Sequence, residues 1–257
     1  MAELDFTLVG GPTAVFTLGG VTFMTDPTFD DPCHFGDWGG PPLTKTTGPA
    51  VSQAQLPSPD VVLLSHDQHP DNLDEAGRAL LPEAGTVFST PEAAGRIPGV
   101  KGLAPWETAQ VTAPGGRVIH VTAVPARHGP EGCEPIAGTV TGFVLHGSGL
   151  PTVYVSGDNA AVELVEQIAD RFPDIDVAIL FTGAARLGIF DDAELTLTAA
   201  GAVEVARLLP AARIVPVHAE GWAHFTESFA DLQEAFTGAG LTDRLLVAGP
   251  GATLAVG

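Results

Sequence analysis

The chain has 257 residues and a formal net charge of −20 at pH 7, from 31 acidic against 11 basic side chains. That balance argues against nucleic acid, whose recognition rests on Lys and Arg contacts to phosphates, and against docking on anionic membrane surfaces. No apolar run approaches the roughly 20 residues that span a bilayer, and the opening residues have neither the basic flank nor the apolar core of a signal peptide, so a cytoplasmic protein is expected. Hydrophobic residues make up 45% of the chain, enough for one large domain over residues 1–257. Cys33 and Cys133 lie far apart and are expected to be free thiols.

Short apolar strands recur along the chain, each followed by a turn or a helix. Residues 5–9 and 13–18 alternate toward Gly19-Gly20, which predicts a hairpin turn into a strand at 21–25. Residues 27–58 are rich in Pro, Gly, Asp and Thr, with Phe35 and Trp38 among them. A connection this long in a compact domain is usually functional, so it reads as a lid or pocket wall. A strand at 60–64, a helix near 73–81 and a strand at 86–89 follow. Thr90-Pro91 then predicts a helix start by the cap-then-proline rule. The second half repeats the scheme: strands near 117–124, 139–146, 152–156, 176–181, 213–217 and 244–248, and helices near 160–171, 198–209 and 226–237. Two such halves packed sheet against sheet, with helices outside, make an α+β four-layer αββα sandwich.

Chemistry concentrates at strand ends. Residues 61–74 read Val-Val-Leu-Leu-Ser-His-Asp-Gln-His-Pro-Asp-Asn-Leu-Asp, so a buried strand delivers His66, His69 and Asp71 to a loop with no cysteine nearby. A nitrogen-and-oxygen donor set suits a catalytic divalent metal better than a closed structural zinc site, which usually recruits thiolates. Three later strands end the same way: one before His128, one before Ser156-Gly157-Asp158, and one before His218. A single strand-end histidine is usually an ordinary hydrogen-bonded residue. Four strand ends carrying such groups in order read as one metal site.

These residues, with Thr25-Asp26-Pro27, resemble in order those of the metallo-β-lactamase-fold hydrolases, over nearly the whole chain. The pattern looks nearest to the branch of L-ascorbate-6-phosphate lactonase and N-acyl-phosphatidylethanolamine phospholipase D, where the cluster reads Ser-His-x-His-x-Asp-His-Leu-Asp. The resemblance implies an αββα sandwich with one or two divalent ions, Zn²⁺ first and Mn²⁺ second, at the edge between the sheets. Its ligand set maps onto His66, His69, Asp71, His128, Asp158 and His218. Asp158 corresponds to the bridging carboxylate, and Asp26 to a buried acceptor supporting the site.

Two departures stand out. One residue too many separates Ser65 from His69, and Asn72 stands where the branch has a histidine of the second metal site. The chemistry implied is hydrolysis of a small-molecule ester, lactone, amide or phosphodiester by water that the ion acidifies. Asp71 is placed to orient or deprotonate that water, and His224 is a candidate proton donor to the leaving group. Trp222 and Trp106 are candidate pocket walls and Arg186 a candidate anion holder, although a core Trp and a surface Arg are the commoner outcomes. Two rival readings remain: a metal-binding accessory protein without turnover, and an iron redox enzyme of the same fold. A homo-oligomer is compatible with the sequence.

Overall fold

The computed structural model describes residues 4–256. The first half comprises β1 (Leu4–Gly10), β2 (Thr13–Leu18), β3 (Val21–Thr25), a small ribbon of β4 (His34–Phe35) and β5 (Leu43–Thr44), then β6 (Val61–Leu63), α1 (Glu75–Leu80), β7 (Thr86–Ser89), α2 (Pro91–Arg96) and β8 (Val100–Gly102). The second half comprises β9 (Thr108–Thr112), β10 (Val118–Pro125), α3 (Glu134–Ala137), β11 (Thr141–His146), β12 (Val153–Val155), α4 (Val162–Arg171), β13 (Val177–Phe181), α5 (Ala199–Leu208), β14 (Arg213–Val217), α6 (Phe229–Gly238) and β15 (Thr253–Val256).

One seven-stranded sheet runs β15-β1-β2-β3-β6-β7-β8, and a six-stranded sheet runs β14-β13-β12-β11-β10-β9. The period-two alternation of each strand decides which face each side chain covers. Val61 and Leu63 of β6 join Phe6, Phe16, Phe23, Ile119, Val121, Ile179 and Phe181 in the layer between the sheets. Their neighbours Val62 and Leu64 face outward onto Leu73, Leu80 and Leu81 around α1. On the other sheet Ala178 and Leu180 face α4, α5 and α6 through Val165, Ile168, Val203, Ala206 and Phe236. Helix, sheet, sheet and helix layers therefore stack as the sequence pattern predicts. Gly19 and Gly20, at φ 60° and 86°, form the expected turn between β2 and β3.

The predicted strand at 244–248 does not form. Leu246 N–H donates to the Ile214 carbonyl at 2.8 Å and Leu245 makes an isolated bridge to Ile214. The pairing then stops, and the last strand is β15, antiparallel to the open edge of β1. Gly249-Pro250-Gly251 turns the chain away between the two. Strands β8 and β9 escape an apolar-run criterion because their residues, Val-Lys-Gly and Thr-Ala-Gln-Val-Thr, are largely polar and lie at sheet edges.

The long connection after β3 is a fixed wall rather than a free lid. Buried Lys45 pairs with buried Asp74 at 2.9 Å. Asp74 also accepts the Phe29 amide at 2.9 Å and the Asp30 amide at 2.7 Å, and caps α1 through the Gly77 amide at 2.8 Å. Thr46 N–H donates to the Gly221 carbonyl and Ala50 N–H to the Val9 carbonyl, both at 2.8 Å. Removing one partner of a buried pair leaves an uncompensated charge, so Lys45→Ala is expected to lose about 3–5 kcal/mol of stability in a urea titration. A loss below about 1 kcal/mol would mean that backbone contacts alone hold the wall.

Candidate metal centre

Four strand ends converge at one edge of the sandwich. His66 follows β6, His128 follows β10, Asp158 follows β12 and His218 follows β14. Backbone hydrogen bonds tie the two sheets together here: Thr141 N–H to the Ser65 carbonyl at 3.1 Å and His218 N–H to the Gly11 carbonyl at 2.8 Å. Gly157 turns the chain into Asp158 at φ 57°. A Cβ there would sit 2.5 Å from the Thr141 carbonyl oxygen and 2.9 Å from Ser65 Cβ, so no larger residue fits this crossing.

His66, His69, His128 and Asp158, all buried, offer ligand atoms within 4.8 Å of one another. His66 Nε2 and His69 Nδ1 face each other at 2.8 Å, so the extra residue in the loop does not separate them. Asp67 absorbs it: its carboxylate is clamped by Arg96 at 2.9 and 2.5 Å, and Arg78 holds its carbonyl at 3.1 Å. The other interposed residue, Gln68, lines the adjacent cavity. His128 Nδ1–H donates to the Leu195 carbonyl at 2.6 Å, which leaves the Nε2 lone pair free for a cation. Burial, reinforced by neighbouring imidazoles, keeps His66 well below its ordinary value and brings His69 down to about 4, so both rings are neutral at pH 7.

Asp71, Asp158 and His218 form a second group within 4.8 Å, sharing Asp158 with the first. His218 Nε2 lies 3.3 Å from Asp158 Oδ1 and 3.5 Å from Asp71 Oδ2, yet neither Asp158 oxygen nor either His218 nitrogen has an aligned hydrogen-bond partner. Burial opposes charge on all three, but their mutual attraction prevails. Asp71 and Asp158 stay below the usual carboxylate range, and His218 is pushed up to about 10. His224 Nε2 is 3.0 Å from Asp71 Oδ2.

Asn72 commits only its amino group to a partner, and its Oδ1 is buried without one. Its Nδ2 donates to Asp26 Oδ2 at 3.3 Å, and the Ser65 amide donates to Asp26 Oδ1 at 2.6 Å. Asp26 is therefore the supporting acceptor the resemblance implies, with burial raising its carboxyl to about 8. Trp222 is 4% exposed, stacks on Phe35 at 5.5 Å and lies under Lys45, so it fastens the wall. Trp106 packs under Arg171 and with the outer helix layer, away from the cluster. Arg186 is held by Asp192 and Glu194. Motif reading missed Gln68 and the Leu195 carbonyl. The irregular spacing pointed to the first, but nothing in the sequence marks a backbone oxygen. Cys33 is exposed and Cys133 buried, both as free thiols.

The donor set fits a divalent cation. Three imidazoles gather around one side of Asp158, and Asp71 and His218 around the other, where buried polar atoms lack partners; positive charge is what such a place requires. Two facing sheets with a His/Asp cluster at one edge define a metal-binding αββα protein. The model of the Beta-lactamase superfamily domain matches residues 22–219, and the chain belongs to that superfamily. An isothiocyanate hydrolase from Delia radicum gut bacteria superposes with a TM-score of 0.83 at 22% identity, covering 97% of this chain and 98% of its own. A protein described as a possible metal-dependent hydrolase from Veillonella parvula gives 0.83 at 22% identity, covering 98% and 99%. A metallo hydrolase from the archaeon Ignicoccus hospitalis gives 0.71 at 21% identity, covering 99% and 98%. No curated protein sequence matches the chain.

Because Asp158 belongs to both groups, Asp158→Asn is expected to lower bound metal more than His218→Ala, measured by plasma emission on dialysed protein. The metal-free protein should lose stability between about pH 6.5 and 8. There His218, folded near 10 and unfolded near 6.5, and Asp26, folded near 8 and unfolded near 3.8, both bind protons only in the folded state. His69, raising stability with pH between about 4 and 6.5, is silent in that window. A metal-free melting temperature that rises from pH 6.5 to 8 would contradict these assignments.

Proposed function

We propose that this protein is a metal-dependent hydrolase of a small organic molecule. The observation carrying the reading is the pair of overlapping His/carboxylate groups at the foot of an open cavity that both His69 and His128 line. His66, His69, His128 and Asp158 would hold one ion and Asp71, Asp158 and His218 a second. Bound there, a divalent ion supplies Lewis acidity, polarising the bond under attack and acidifying a water near neutral pH. The nitrogen-rich first group favours zinc, with manganese as the alternative for the oxygen-rich second.

The chain's own residues then handle the proton. Asp71 is ionised at neutral pH and accepts the proton of the attacking water. His224, 3.0 Å from it, is within reach to pass a proton toward the leaving group. Asp26 and the Ser65 amide fix the loop that carries His66. The relatives named for hydrolysis support the reaction class, and the order of motifs keeps the lactonase and phospholipase D branch as the nearest pattern. The substrate is an ester, lactone, amide or phosphodiester, and the working compartment is the cytoplasm.

His224 stands outside both groups of candidate ligands. His224→Ala is therefore expected to lower kcat by about 10²–10⁴-fold while metal content stays at the wild-type level, and Asp71→Ala to abolish turnover. Full activity in Asp71→Ala, or no wild-type turnover across carboxylester, lactone, amide and phosphodiester substrates with Zn²⁺ or Mn²⁺, would overturn the reading. Non-haem iron in the protein as isolated would favour redox chemistry instead.

A further inference from the structure

Beside His69 and His128 opens a cavity of about 570 Å³, within the range of small-molecule sites. Its walls are mixed, with apolar side chains on several sides. Trp38 stands edge-on to His69 at 5.1 Å, its indole pinned by a 2.9 Å hydrogen bond from Nε1 to the Pro41 carbonyl. Leu187, Ile189 and Leu195 face it. Ile136 is 69% exposed at the rim and is the exposed large hydrophobic residue among those described.

The polar groups lining the cavity away from the cluster are uncharged or acidic. Gln68 contributes a carboxamide whose Oε1 is buried without a partner, and Glu134 contributes a carboxylate. No Lys or Arg lines it. The basic residues nearest in sequence are already taken: Arg127 by Glu163 and the Gly129 carbonyl, Arg186 by Asp192 and Glu194, and Lys45 by Asp74. A net charge of −20 adds a repulsive field for anions approaching from solvent.

We infer that the cavity is the substrate's binding pocket and that it rejects anions, taking a molecule whose apolar arm lies along Trp38, Ile136 and Leu195. Resting on the hydrolase reading above, this narrows the substrate to esters, lactones or amides whose arm carries no phosphate or carboxylate. Gln68 meets a neutral polar group on the arm. Glu134 and the missing cations reject an anionic one, since an anion placed against the apolar side chains loses hydration without gaining a partner.

The test compares two esters with the same reacting group, p-nitrophenyl hexanoate and the mono-p-nitrophenyl ester of adipic acid, on the zinc-loaded protein. Their arms differ in ending as methyl or carboxylate. The expected kcat/KM ratio is about 100-fold or more in favour of hexanoate, since burying an unpaired carboxylate costs several kcal/mol and each 1.4 kcal/mol is tenfold. Ile136→Lys changes an exposed side chain and should narrow the ratio to within about tenfold by lowering KM for the adipate ester. Equal rates for the two esters, or an unchanged ratio in Ile136→Lys, would overturn the proposal. Calorimetry with hexanamide and adipamate separates this outcome from failure of the hydrolase reading. If neither ester turns over, hexanamide binding without adipamate binding still supports the pocket's selectivity. Binding of both, or of neither, defeats it.

Discussion

Asp158 lies fully buried where the ends of the two sheets meet, with neither carboxylate oxygen accepting a hydrogen bond. An unpaired buried charge costs several kcal/mol even after relaxation, so the surroundings must provide positive charge. In the protein alone, His218 does so by keeping a proton up to about pH 10. A divalent cation does so better, because it can face Asp158 together with the imidazoles of His66, His69 and His128. The remaining features of the site serve that requirement. Burial strips protons from His66 and His69, the Leu195 carbonyl turns the free nitrogen of His128 inward, and Asp26 takes the Ser65 amide so that the loop stays in place.

The same demand explains why the ligands come from strand ends. A residue in the middle of β6, β12 or β14 is committed to one of the apolar layers, as Val62 and Leu63 are. Only where the strand stops is a side chain free of that alternation yet still held by the sheet. His218 takes this to an extreme, with φ 58° in the left-handed region, a conformation costing a non-glycine residue about 1–2 kcal/mol. The hydrogen bond from its amide N–H to the carbonyl of Gly11, in the β1–β2 turn of the opposite sheet, holds it there, so packing between the layers stabilises the strained turn that aims the imidazole.

Much of this is legible in the sequence. The apolar runs ending at His66, His128, Asp158 and His218 located the site, because a buried strand leaves a period-two signature and a polar stop. The two-sheet layering followed from the order of strands and helices. What stayed hidden depends on contacts between residues distant in sequence. The Lys45–Asp74 pair, which turns an apparent lid into a wall, joins residues 29 apart. The edge pairing of β15 with β1 spans nearly the whole chain. Polar β9 carries almost no local strand signal, since its pairing with β10 supplies what its composition lacks.

The two irregularities of the His/Asp motif have separate structural outcomes. The added residue is neutral for the first group: Arg96 and Arg78 draw Asp67 to the outer layer, and both imidazoles still meet at 2.8 Å. Asn72 brings no imidazole to the second: its Nδ2 turns to Asp26, its Oδ1 is buried without a partner, and Asp71, Asp158 and His218 are the His and carboxylate donors there. The site is therefore lopsided, with three imidazoles and a carboxylate on one side and two carboxylates and an imidazole on the other. Softer, nitrogen-rich coordination favours zinc, and oxygen-rich coordination favours harder ions. Two ions held by such groups would differ in affinity, and the weaker one would sit beside Asp71 and His224, the residues proposed to move the proton.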